Sequence, residues 1–173
     1  NELERIVNQT AARQGKIIIP AFAVERTQDL IFYLHLLADQ KRIGDIPIFV
    51  DSPMAVNATS IFRVHPECYD SETREAFIRH HKNPFGFNSL RYIDSVAESK
   101  ELNDLKGPAI IISSSGMCEA GRVVHHLLHN LADSRNTILI VGFMAKNTLG
   151  RKIRDKEPEV SVLGNRMHPR AQV

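Results

Sequence analysis

Ala109-Ile110-Ile111-Ile112-Ser113-Ser114-Ser115-Gly116 joins two signals in one short segment. A run of isoleucines puts apolar side chains on both faces of a strand, which suits a parallel sheet covered on both sides. The serines and glycine that follow end the strand and open the next helix. The same pattern recurs along the chain. Lys16 to Pro20 leads into Ala21-Phe22-Ala23 and Glu25-Arg26. Ile48 to Val50 leads into Asp51-Ser52-Pro53, a cap residue with proline at the first helical position. Thr137 to Val141 leads into Gly142 and then Asn147-Thr148, and Leu90 to Ile93 completes a set of five strands.

Helical spacing fills the intervals. Residues 2–13 carry Leu3, Ile6 and Val7, and Glu25 to Ala38 carries Leu30, Leu34 and Leu37. Further helices are expected over 53–64, 71–81, 95–105, 119–132 and 148–156, with a loop over 82–89 from its Pro, Gly and Asn content. Alternation of this kind predicts an α/β fold, a doubly wound and mainly parallel sheet with helices on both faces, Rossmann-like in layout. No repeat or long linker divides residues 1–173, so one domain is expected.

Composition excludes more than it identifies. With 173 residues, 24% of them charged and no low-complexity run, the chain can bury a core and does not read as disordered. A net charge of +2 is too small to mark a nucleic-acid binder by composition, so any basic patch must be local. Cys68 and Cys118 form no CxxC pair and read as bystander thiols of a reducing cytosol. No apolar run approaches the roughly 20 residues of a membrane helix. Asn1 opens without Met inside a helical pattern, as expected of a piece of a longer chain.

In a parallel sheet the four strand–helix junctions share the carboxyl edge, where open α/β folds bind ligands. Helix N-termini there favour phosphate or carboxylate. Ser52, Ser113, Ser114, Ser115 and Thr148 add hydroxyls, Gly116 and Met117 add backbone, and Arg26, Arg122 and Lys146 add charge. Helix capping accounts for one serine per helix but not for three in a row beside an arginine. The expectation is an anion site centred on Ser113 to Gly116, with Arg26 and Arg122 converging on it.

Gly116 to Arg122 has the spacing of a P-loop, but Arg122-Val123 stand where Lys and Ser or Thr are required, which excludes a nucleotide triphosphatase. His125 and His129 share a helix face as two zinc ligands would, yet no third ligand accompanies them and His126 points elsewhere. A solvated or partly buried histidine face is the simpler expectation. Lys146, Arg151, Lys152, Arg154 and Lys156 stand against Asp155 alone, which reads as a solvated helix face or as a stripe following a phosphate backbone.

Taken together, Gly15 to Leu30, Ile48 to Ala55, Ala109 to Met117 with Gly121-Arg122, and Gly142 to Gly150 resemble the β-CASP domain of RNA-processing metallo-β-lactamases. That group includes the cleavage and polyadenylation endonuclease, the Integrator nuclease and ribonuclease J-like enzymes. The resemblance implies a zinc-dependent ribonuclease (a cytoplasmic hydrolase) whose two zinc ions are held by a metallo-β-lactamase domain of the same polypeptide. The HxHxDH string of that domain is absent here. The family's acidic motif would precede Asn1 and its later histidine motifs would follow Val173. His168 is then a surface residue on a strand, Met167 to Val173, leading back to the host domain. This chain would be a lid holding single-stranded RNA, with no catalytic residue and no metal of its own, and with its two ends close together. Two alternatives stay open: a non-catalytic RNA-binding or scaffold subunit, and an α/β domain binding a phosphorylated small molecule.

Overall fold

The computed structural model describes residues 2–76 and 83–173. Five parallel strands form one sheet in the order β3-β2-β4-β1-β5. They are β1 (Lys16–Pro20), β2 (Ile48–Asp51), β3 (Leu90–Ile93), β4 (Ala109–Ser113) and β5 (Thr137–Ile138). The helices are α1 (Glu2–Ala12), α2 (Arg26–Asp39), α3 (Pro53–Val64), α4 (Ser71–Ala76), α5 (Val96–Asp104), α6 (Arg122–Asn130) and α7 (Leu149–Arg154). The fold class expected from the apolar runs is the one observed.

The period-2 geometry of a strand explains why those runs are apolar throughout. Ile17, Ile19, Ile48, Val50, Ile110 and Ile112 project to one face, beneath Val7 of α1 and Leu30, Ile31 and Leu34 of α2. Ile18, Phe49, Ile111 and Ile138 project to the other, beneath Val123 and Leu127 of α6, Leu102 of α5 and Ile153 of α7. Ile18, Ile110 and Ile111 are wholly buried, each contributing about 1.5–3 kcal/mol of transfer free energy. A polar substitution at any of them faces a helix layer, whichever side it points to.

Boundaries depart from the sequence expectations in three places. The strand expected over Thr137 to Val141 pairs only through Ile138, although Leu139 N–H still donates to Ile18 C=O at 2.9 Å. The helix expected from residue 119 starts at Arg122, because Gly121 adopts φ +79° immediately before it. The strand expected over Met167 to Val173 is not there. Instead β6 (Val160–Val162) and β7 (Asn165–Met167) form an antiparallel hairpin, and Gln172 makes one isolated parallel bridge to Thr137. The helix expected over 71–81 is described to Ala76, and 77–81, like Lys82 of the expected loop, lies outside the described residues. Glu2 and Val173 border the same cavity, so the two ends of the described chain are neighbours.

The topology fixes where loops diverge. The helix after β1 and the helix after β2 pack on one face, while α6, after β4, packs on the other. Because β4 lies between β1 and β2, the loops leaving these three strands part at β4, the kind of place where open α/β sheets bind ligands.

Candidate functional site

Register aligns the strand ends that carry the expected site. Pro20, Ser113, Asp51 and Ile93 are aligned across β1, β4, β2 and β3, so all four loops leave the sheet at one level. Ser52 caps α3 by accepting the Ala55 amide at 3.3 Å, and its Oγ lies 2.6 Å from Ser114 Oγ. Ser113 Oγ donates to Asp51 C=O at 2.7 Å, which locks β4 to β2 at the edge. Ser115 Oγ accepts the amides of Glu119 and Ala120 and so folds the turn before α6. Gly116 packs against Phe22, where a Cβ would meet the ring and backbone at 3.1 Å. Met117 C=O accepts the Gly150 amide at 3.1 Å and ties this turn to α7.

Below that edge lies a buried polar cluster that sequence reasoning did not assemble. Asp51, the last residue of β2, is completely buried. Its Oδ1 accepts Arg122 Nη1–H at 2.7 Å. Its Oδ2 accepts His126 Nε2–H at 2.6 Å and Ser99 Oγ–H at 2.6 Å. Arg122 also donates to the carbonyls of Ile93, at 3.3 Å, and Asp94, at 2.6 Å. Burial by itself would raise the Asp51 carboxyl, but hydrogen bonds from His126, Ser99 and Arg122 outweigh it and hold the group below its ordinary range. His126 Nδ1 lies 3.2 Å from Asn103 Oδ1, which extends the cluster to the end of α5. A carboxylate buried without such donors would be expensive; with donors from α5 and α6 it clamps two helices to the central strands.

These contacts redefine the expected arginines. Arg122 does not offer a free guanidinium to a ligand: its side chain is 17% exposed and engaged with Asp51 and two strand-end carbonyls. Arg26 lies at the exposed start of α2 and pairs with Asp29 at 3.2 Å, a surface contact of small energy. The two therefore do not form the expected pair of converging clamps. Thr148 caps α7 by accepting the Arg151 amide, and Glu119 Oε1 accepts Leu149 N–H at 2.5 Å, so that N-terminus already holds an anion from this chain. Lys146 stands exposed in the loop before it. In α7, Arg151 and Arg154 both pair with Asp155, which neutralises part of the basic run.

The histidines sort differently from their helical spacing. His125 and His129 are exposed, while His126 is wholly buried on the Asp51 carboxylate. Its signal was present in the sequence. His126 shares the stripe of Val123, Leu127 and Asn130, the inward face of α6. Among the described residues no group of three or more His, Cys, Asp or Glu side chains is placed to hold a metal ion. Cys118 is buried and its thiol is pushed up to about 12, by desolvation first and then by Glu119, while Cys68 is exposed.

Around the hydroxyl pair the edge is apolar as well as polar. Phe22 and Val24 after β1, Met54 after β2 and Phe143 after β5 are all exposed, at 49%, 53%, 67% and 71%. Four large apolar side chains at the strand–helix junctions of one sheet edge are more than scattered surface residues. Taken with the hydroxyls and with Lys146, the edge can dock an apolar surface while offering donors to an anion.

Comparison with known proteins agrees with this layout. Residues 27–153 match the family model described as Beta-Casp domain. The chain is 36% identical over 172 residues to the protein named Ribonuclease TTHA0252 of Thermus thermophilus, covering 99% of this chain and 39% of that protein. It is 34% identical over 162 residues to the Transcription termination factor FttA of Methanocaldococcus jannaschii, and 35% identical over 164 residues to that of Pyrococcus abyssi. Those two matches each cover 94% of this chain and 25% of the relative. The chain thus spans well under half the length of these relatives. The matched region holds β2, β4, Asp51, the Ser52–Ser114 pair and the Arg122–His126 clamp, and the chain belongs to the Beta-Casp domain family.

Proposed function

We propose that this domain holds the phosphate backbone of single-stranded RNA at the carboxyl edge of its sheet, as the lid of a ribonuclease completed by a metallo-β-lactamase domain of the same polypeptide. The observation that carries the reading is the in-register edge itself, where Ser52 and Ser114 meet at 2.6 Å and whose strand–helix junctions also expose Phe22, Met54 and Phe143. Ribonuclease and transcription termination factor, the names of the relatives, both fit a domain that handles RNA. In this reading the apolar residues of the edge face the partner domain. The hydroxyl pair, Lys146 and Arg26 contact phosphates, and the Asp51–Arg122–His126 cluster positions the loops without touching RNA.

Zinc belongs to the proposed partner domain. Among the described residues no three His, Cys, Asp or Glu side chains converge as ligands, and no step of this reading passes through an ion held by the chain. Residues 2–76 and 83–173 bind and orient; bond cleavage is assigned elsewhere.

The test is RNA binding by the chain and by its variants. Arg26→Ala should weaken binding of a single-stranded oligoribonucleotide by roughly 1–3 kcal/mol, as for a lost charged hydrogen bond, with stability unchanged. Arg122→Ala should instead lower thermal stability, because it leaves the buried Asp51 carboxylate short of a donor. Wild-type affinity in Arg26→Ala and in the double variant Ser52→Ala/Ser114→Ala would overturn the assignment of this edge.

A further inference from the structure

The two hydroxyls that meet at 2.6 Å on the carboxyl edge are not equivalent, because each has a single proton to give and their surroundings differ. Ser52 is 3% exposed. It stands at a fixed point of the backbone, between the last residue of β2 and Pro53 at the first position of α3. Its Oγ accepts the Ala55 amide at 3.3 Å, and its C=O accepts the Val56 amide at 3.0 Å. Ser114 is half-buried, in the turn from β4 to α6, where its C=O accepts the Val123 amide at 3.2 Å.

The bond between the hydroxyls can run in either direction, and burial chooses between them. Were Ser114 the donor, Ser52 Oγ would accept from both Ser114 and Ala55, and its own proton would be left over. Those two groups are the partners of Ser52 Oγ among the described residues, and neither could then accept. A buried donor stranded in this way forfeits its hydration, which costs more than one hydroxyl bond returns. With Ser52 as donor its proton is used, its lone pair faces the Ala55 amide, and the proton left over is that of Ser114, the more accessible residue. The bonds then run one way, from the Ala55 N–H at the start of α3 through Ser52 Oγ–H to Ser114 Oγ–H. Each bond polarises the next, so the last proton is a stronger donor than that of an isolated serine, and it issues from the positive end of a helix of 12 residues.

We infer that Ser52 is a positioning residue of this edge: it donates to Ser114 and thereby turns the Ser114 hydroxyl proton outward, toward a phosphate oxygen of the RNA. The inference rests on the RNA reading of the edge and divides the hydroxyl pair into a contact, Ser114, and a support, Ser52, which acts through it. Phosphate oxygens can only accept, so a hydroxyl held as a donor serves them better than one free to rotate.

Fluorescence-anisotropy titration of the chain and its variants with a labelled single-stranded oligoribonucleotide tests the inference. Ser114→Ala should weaken binding by about tenfold, the order expected for a lost hydrogen bond to a charged group. Glycine is tolerated at a helix N-cap, so Ser52→Gly should melt close to the wild type, yet it should weaken binding by about threefold or more as Ser114 loses its orientation. Ser52→Gly/Ser114→Ala should bind no more weakly than Ser114→Ala alone, a non-additivity that a purely structural cap would not produce. Ser52→Thr, which keeps both the hydroxyl and the cap, should recover most of the loss. Weakened binding in Ser114→Ala with wild-type affinity in Ser52→Gly would refute the positioning role and leave the RNA edge standing. Additive losses in the double variant, or no recovery in Ser52→Thr, would also refute it. Wild-type affinity in Ser114→Ala would remove the edge contact itself, and this inference with it.

Discussion

At Asp51, donors from three side chains on two helices meet one carboxylate at the end of a central strand: Arg122 and His126 from α6, and Ser99 from α5. Replacing it by asparagine keeps the shape, removes the charge and turns an amide nitrogen toward a donor. Asp51→Asn should therefore lose about 3–5 kcal/mol in urea unfolding, the range for breaking a buried pair from one side. A loss below about 1 kcal/mol would show that the cluster does not clamp the helices. The pH dependence follows from the direction of the shift. Because the folded carboxyl titrates below the unfolded one, its stabilisation is complete above the unfolded value, near pH 4, and is lost as pH falls through the folded value. Acid unfolding below about pH 4 should thus be steeper for the wild type than for Asp51→Asn. Equal acid limbs would sink this account. The cluster was only half legible in the sequence, where Asp51 read as part of the junction after a strand and Arg122 as a ligand clamp. Their pairing depends on β2 and β4 lying side by side, and no local pattern records that.

The turn from β4 to α6 sets the element scale. Gly121 has φ +79° and ψ −171°, a conformation open in practice to glycine alone. A Cβ there would stand 2.4 Å from Ser114 C=O, which is backbone and cannot yield cheaply. Gly121→Ala is expected to lower stability by at least about 1–3 kcal/mol and to lower the melting temperature accordingly. An unchanged melt would mean that the turn can refold around the methyl group. Elements like β4 were readable because burial on both faces leaves a continuous apolar run. The β6–β7 hairpin was not, since its strands are three residues long and its turn is Leu163-Gly164, with φ 49° and 80°. Leucine at the first of two positive-φ positions is no turn signal. His126 was missed for the opposite reason: its apolar stripe was visible, but the i, i+4 spacing of His125 and His129 drew attention to the other face of the helix.

For the molecule as a whole, net charge is nearly balanced, so any RNA affinity must come from a few local contacts. Affinity should fall as salt rises, and Lys146→Ala should lower the slope of log K against log salt by about 1, as one phosphate contact is lost. The same slope in wild type and variant would place Lys146 outside the interface. Of the expected site, the positions of Ser52, Ser113 and Ser114 were legible because they follow directly from strand ends. The engagement of Arg122 was not, because it arises from packing between α6 and the sheet. Strand order has one further consequence, for the timing of assembly. β1 is made before β2 and β3, yet its partners are β4, where Lys16 meets Ala109, and β5, where Ile17 meets Thr137. Until most of the chain has been made, the isoleucines of β1 have no strand on either side. A nascent chain therefore carries β1 as an unpaired, aggregation-prone strand until β4 and β5 have followed it out of the ribosome.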